Sequence, residues 1–103
     1  MSKRVENVVR ISVDGDFIEG NLRVPVGAKG VVLFAHGSGS SRFSPRNRYV
    51  ANVLNDAKIA TLLIDLLTRD EEEVDMHTRQ FRFDIDLLTE RLMSAAKWLK
   101  RNA

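Results

Sequence analysis

His36 is followed by Gly37-Ser38-Gly39-Ser40-Ser41 and then by Arg42, Arg46 and Arg48. Together these residue types can stabilise a developing negative charge. Glycine and serine let backbone N–H groups come close to an anionic oxygen, and such a turn leaves several of them without strand or helix partners. An imidazole titrates near neutrality and can serve as general acid or base. A serine is a poor nucleophile unless a base lies within hydrogen-bond reach. His36, Ser38 and Ser40 are therefore candidate catalytic residues. Gly37, Gly39, Ser41, Arg42 and Arg46 form a candidate anion site, with guanidinium groups beside free amides and a helix start. The plainer reading of the same residues is a turn fixed by a locally bonded histidine, with solvated arginines beside it.

Asp65 ends an apolar run and belongs to the same rim. It joins the catalytic candidates as a group that pairs with an arginine or orients His36, pairing being the better fit. The acidic stretch Asp70–Asp75 with His77 matches no tight metal-ligand spacing and reads as a solvated loop. No metal and no cofactor is implied. Trp98 lies off the main stripe of its helix, beside Leu87 and Arg91, and reads as packing at a subunit contact or sheet edge. Basic residues without interleaved aromatics give no nucleic-acid signature.

The frame that must position these residues is small. A chain of 103 residues makes one domain, residues 1–103, and its 44% hydrophobic and 29% charged content is that of an ordinary globular protein. A net charge of +2 is too small to argue for nucleic acid, and the absence of cysteine excludes disulfides and thiolate metal sites. Met1-Ser2-Lys3-Arg4 has no apolar run behind it, and no stretch approaches the roughly 18 apolar residues of a membrane span. A cytoplasmic location is the default expectation.

Val9, Ile11 and Val13 alternate with polar residues, Asp14-Gly15-Asp16 signals a turn, and Phe17, Ile18, Leu22 and Val24 follow, so the first segment reads as an antiparallel hairpin at a sheet edge. Val31–Ala35 is apolar on both faces, as a parallel strand would be. Ser44-Pro45 starts a helix on which Tyr49, Val50, Val53, Leu54 and Ala57 fall at helical spacing. Ile59–Ile64, ending in Asp65, is a second two-sided strand. Leu66–Arg79 is an acidic connection. From about Arg82 to Arg101, the positions Ile85, Leu88, Leu92, Ala95 or Ala96 and Leu99 form one apolar stripe, with Lys97, Lys100 and Arg101 suiting the helix dipole. The layout is hairpin, β-α-β, then a long helix that would lead into a further strand.

This order of elements, with Val32-Leu33-Phe34-Ala35-His36-Gly37-Ser38-Gly39-Ser40-Ser41, resembles the N-terminal half of an α/β-hydrolase of the dienelactone-hydrolase-like branch. Arg42–Asn47, Ala60–Thr68 and Arg82–Ile85 carry the same likeness, which runs from about Val5 to Leu99. The resemblance implies an α/β fold, half of a hydrolase sheet, in which the turn supplies one oxyanion-hole N–H, by position that of Ser38. It also implies that the elbow nucleophile, the acid and the catalytic histidine of that family lie on elements this sequence does not contain. A half-sheet leaves one edge of Val31–Ala35 with unpaired backbone groups. The expected remedy is a homodimer through that edge, or a complementary C-terminal fragment. Two functions follow: a minimal hydrolase of activated carboxyl or phosphate esters assembled in the dimer, with a small-molecule ester as substrate, or a non-catalytic dimerising or chain-complementing module.

Overall fold

A computed structural model describes residues 6–36 and 41–102. Strands β1 (Glu6–Val13) and β2 (Asp16–Arg23) form the expected hairpin, in antiparallel register from Glu6 opposite Arg23 to Val13 opposite Asp16. Asp14 and Gly15 close it with φ of 46° and 79°. Two successive positive φ values make the two-residue turn whose twist matches that of its strands.

Among the described residues, strand β3 (Val31–His36) is followed by a 3-10 turn, Ser41–Phe43, then by helix α1 (Pro45–Asp56) and strand β4 (Ala60–Asp65). The sheet order is β1-β2-β4-β3, with β4 antiparallel to β2 and parallel to β3. All of β4 is buried, whereas β3 is an edge strand with Val31, Val32 and Ala35 exposed. Gly20 on β2 lies opposite Ile64, and a Cβ there would stand 2.9 Å from the Leu63 carbonyl oxygen. Only glycine lets β2 and β4 approach this closely.

The core lies on one face of the sheet. Ile11, Val13, Ile18, Leu62, Ile64 and Leu66 pack there against Ala95 and Leu99 of helix α3 (Ile85–Asn102), with Leu88 and Trp98 at its margin. The inward face of α3 is thus rotated from the expected stripe: Arg91 is inside, while Ile85, Leu92 and Ala96 are exposed. Trp98 packs on the core, beside the residues of β1 at the far sheet edge.

Helix α1 covers the other face with its polar side. Ala51 and Asn55 are buried, and Tyr49, Val50 and Val53 are 69%, 41% and 50% exposed. Beneath α1, Glu6 Oε1 accepts from Arg23 and Arg48 at 3.1 Å each, and Asn55 Nδ2 donates to Ile59 O at 3.0 Å and Thr61 Oγ1 at 3.1 Å. Ser44 stands at the N-cap with Pro45 behind it, but its side chain makes no capping bond.

The acidic connection is not a solvated loop. It contains helix α2 (Arg69–Thr78), started by a capping box in which Thr68 Oγ1 accepts from Glu71 N at 3.2 Å and Glu71 Oε1 accepts from Thr68 N at 2.9 Å. Asp75 is 1% exposed and accepts from the backbone N–H groups of Phe81 and Arg82 and from Arg82 Nε. Holding Arg82 in this turn delays the start of α3 to Ile85. Burial opposes the Asp75 charge, but these donors outweigh it and hold the carboxyl below its ordinary range.

Candidate active site

The parallel pairing of β3 with β4 sets His36 directly opposite Asp65 at the carboxyl ends of the two strands. In open α/β sheets this is the end where ligands bind. Gly37, Ser38, Gly39 and Ser40 lie outside the described residues, and Ser41 opens the 3-10 turn that carries Arg42.

Asn47, on the first turns of α1, donates from Nδ2 to His36 Nε2 at 2.7 Å. The other ring nitrogen, Nδ1, is buried and has no hydrogen-bond partner among the described residues. The histidine therefore ties the end of β3 to α1. This is the local bonding of the plainer sequence reading, and it occupies the nitrogen a general base would use from that side.

Asp65 pairs with an arginine. Its Oδ1 accepts from the backbone N–H of Arg42 at 3.2 Å, and its Oδ2 lies 3.2 Å from Arg42 Nε, off the line of a hydrogen bond. The Arg42 guanidinium is 4.5 Å from the centre of the Phe43 ring and 4.0 Å from Glu19, and its Nη1 has no hydrogen-bond partner among the described residues. Burial pushes the Asp65 carboxyl above its usual value, more strongly than Arg42 and His36 pull it down. Arg42 is thus an internal counter-ion, whereas Arg46 is exposed on α1.

Sequence reasoning missed the other wall of the site. A cleft of about 260 Å³ is lined by Phe17 and Glu19 from β2, Arg42 and Phe43, Asp65, and Leu67, Arg69 and Glu72 at the start of α2. Arg69 Nε donates to Glu19 Oε1 at 3.0 Å. Burial, and then the Asp65 charge, raise the Glu72 carboxyl. Glu19 is separated in sequence from α2 by the whole β-α-β unit, so no local spacing could have joined them. The one available signal was Thr68-x-x-Glu71, which marks a helix start.

Comparison with known proteins shows what the chain resembles. No family model matches the chain. The solved dienelactone hydrolase from Anabaena variabilis superposes with a TM-score of 0.87 at 61% sequence identity, over 93% of this chain and 44% of that one. In sequence and fold, the chain matches the amino-terminal half of a dienelactone-hydrolase-like α/β-hydrolase. Est1E from Butyrivibrio proteoclasticus shares the fold alone, with a TM-score of 0.68 at 16% identity over 90% of this chain and 35% of that one. The chain is also 55% identical, over 82 residues, to proteins of two Mycobacterium tuberculosis strains provisionally named phosphoribosyl transferases. That match takes in 80% of this chain and 18% of theirs. The chain therefore spans less than half the length of each of these proteins.

Among the described residues, no helix is long and apolar enough to cross a membrane.

Proposed function

We propose that this chain is the oxyanion-side half of a hydrolase of activated esters, including lactones of the dienelactone type, and that it works when a second segment completes the sheet at β3. The observation that carries this reading is the coincidence of a β3 edge unpaired among the described residues with the site at its carboxyl end. His36, Asp65 and Arg42 surround the exit of β3, and the same strand ends the sheet.

The chemistry is division of labour. The family resemblance assigns the oxyanion-donating turn amide to Ser38, which lies outside the described residues, and such an amide would donate to the oxygen that becomes negative when the ester carbonyl is attacked. The His36–Asn47 bond holds the root of that turn, and the Phe17–Glu72 cleft receives a substituent of the ester. The nucleophile with its base and acid comes from the completing segment, in the manner of the family. In a preparation of this chain alone, a second copy takes the free edge. Such a homodimer retains only the oxyanion and binding contributions, which give slow turnover over water. The phosphoribosyl-transferase name belongs to proteins of which the match spans 18%, whereas it spans 44% of the dienelactone hydrolase, and that larger share supports the hydrolase reading.

The test is complementation. The chain is sized by light scattering and assayed on chromogenic carboxyl and phosphate esters and on a lactone, alone and mixed with the carboxyl-terminal half of a dienelactone hydrolase. The expected result is a homodimer with weak activity that, on mixing, forms a one-to-one complex with ester turnover raised on the order of a hundredfold or more. A one-to-one complex without turnover overturns the hydrolase reading. A monomer that binds no complementary half overturns the completed sheet.

A further inference from the structure

Arg91 of α3 is only 3% exposed, although it lies off the helix stripe expected to be apolar. Its guanidinium donates to both oxygens of Glu71, at 2.6 and 2.8 Å, and to the Leu66 carbonyl at 3.1 Å, and its Nη2 reaches Asp14 at 3.5 Å. Asp14 is the hairpin-turn residue, so one side chain meets the hairpin, the β4 exit and α2. A planar fork bonded to both carboxylate oxygens fixes orientation as well as distance.

The segment between β4 and α2 is Leu66-Leu67-Thr68. Leu66 N donates to His36 O at 2.8 Å, Leu66 O accepts from Arg91, and Thr68 N donates to Glu71, the carboxylate that Arg91 grips. Arg69 and Glu72, which flank Glu71, line the cleft with Asp65 and Glu19. A purely cohesive contact between α3 and the sheet would be made by an apolar side chain, since replacing a buried ion pair by well-packed apolar groups is often neutral or stabilising. A bidentate fork at this point fixes where α2 begins. We infer that Arg91, acting through Glu71, is a positioning residue that sets the α2 wall of the ester cleft.

This inference rests on the hydrolase reading for its bearing on substrate, so its test has a readout that needs no turnover. Amide hydrogen exchange at Thr68 and Glu71 is measured on the 103-residue chain, and KM and kcat on the complemented enzyme. Arg91→Lys and Glu71→Gln are expected to speed exchange at those amides about tenfold and to raise KM about tenfold with little change in kcat. The double variant Arg91→Leu/Glu71→Leu separates positioning from cohesion. Its unfolding midpoint is expected to recover towards that of the parent chain, while KM and exchange stay as altered as in the single variants. Unchanged exchange in Arg91→Lys overturns the inference. So does a KM that returns to the parent value together with the midpoint. If the complemented enzyme shows no turnover, the hydrolase reading falls, and exchange alone decides whether Arg91 holds the start of α2.

Discussion

Asp65 and Glu71, six residues apart on either side of the β4 exit, titrate in opposite directions, and each direction makes a stability prediction. Glu71 is held below its ordinary value chiefly by hydrogen bonds from Arg91, against burial. Its ionised form therefore stabilises the fold fully above the unfolded value of about 4.5, and that contribution is lost as pH falls through the lower folded value. Glu71→Gln, which removes the charge and one of the two acceptor oxygens facing the enclosed Arg91, is expected to cost about 2–4 kcal/mol at neutral pH. Denaturant midpoints measured against pH should show that gap closing on acidification below about pH 4.5. Asp65 runs the other way. Burial raises its carboxyl, so the folded chain binds the proton more tightly than the unfolded one, and this group lowers stability as pH climbs from 3.8 through the raised folded value. Asp65→Asn, permanently neutral, should flatten that part of the pH profile, whereas an unaltered profile would show that Arg42 fully compensates the charge. For His36 the expectation follows from Asn47. If both act only by holding the root of the turn, His36→Ala and Asn47→Ala should reduce complemented turnover by similar factors, about tenfold each. A His36 effect many times larger than that of Asn47 would restore the general-base role.

The elements were legible where a single period governs a segment. The hairpin, both parallel strands and the existence of α1 and α3 follow from alternation, two-sided apolar runs and helical spacing. What the pattern could not give is which side faces inward. Tyr49, Val50 and Val53 are apolar at helical spacing, yet they point away from the sheet, and Asn55 points in because Thr61 and the Ile59 carbonyl meet its amide there. No surface among the described residues covers Tyr49, Val50 and Val53, so their hydrophobicity alone could not tell which way they face. Helix α2 was hidden for a different reason. Its composition is that of a solvated loop, and the contacts that hold it, the pairing of a half-buried Glu71 with Arg91 and of a buried Asp75 with Arg82, exist only in the folded chain. The cleft was hidden because Glu19, Asp65 and Glu72 come from separate elements and meet only in the folded chain. Gly20 supplies a test of the sheet itself. Gly20→Ala sets a methyl group against Leu63 O, a backbone atom that cannot swing aside as the neighbouring Leu62 Cδ1 can, and is expected to destabilise by about 1–3 kcal/mol in denaturant unfolding. Stability equal to the parent would mean that β2 and β4 separate without loss.

At the scale of the molecule, extents of 45 × 28 × 19 Å describe a thin slab. One face of the sheet is covered by the apolar side of α3 and the other by the polar side of α1, so the apolar side of α1 and the outer edge of β3 are left at the surface. A helix laid down this way gains little from its own apolar residues until something covers them. Stability should then depend on association, and hence on concentration. Replacing Val50 and Val53 by lysine tests this without touching the sheet, because both are substantially exposed in the single chain and surface substitutions there cost about 0.5 kcal/mol or less. In an assembly that covers α1, the same lysines are buried without partners and cost several kcal/mol. The parent chain should therefore show an unfolding midpoint that rises with protein concentration. The double-lysine variant should unfold at a midpoint independent of concentration, run as a monomer and fail to accept a complementary half. If the variant associates as the parent does, the partner sits elsewhere and the β3 edge is closed without help from α1. If the parent itself shows no concentration dependence, the chain is stable as a lone half-sheet, and the exposed valines of α1 no longer argue for a missing surface.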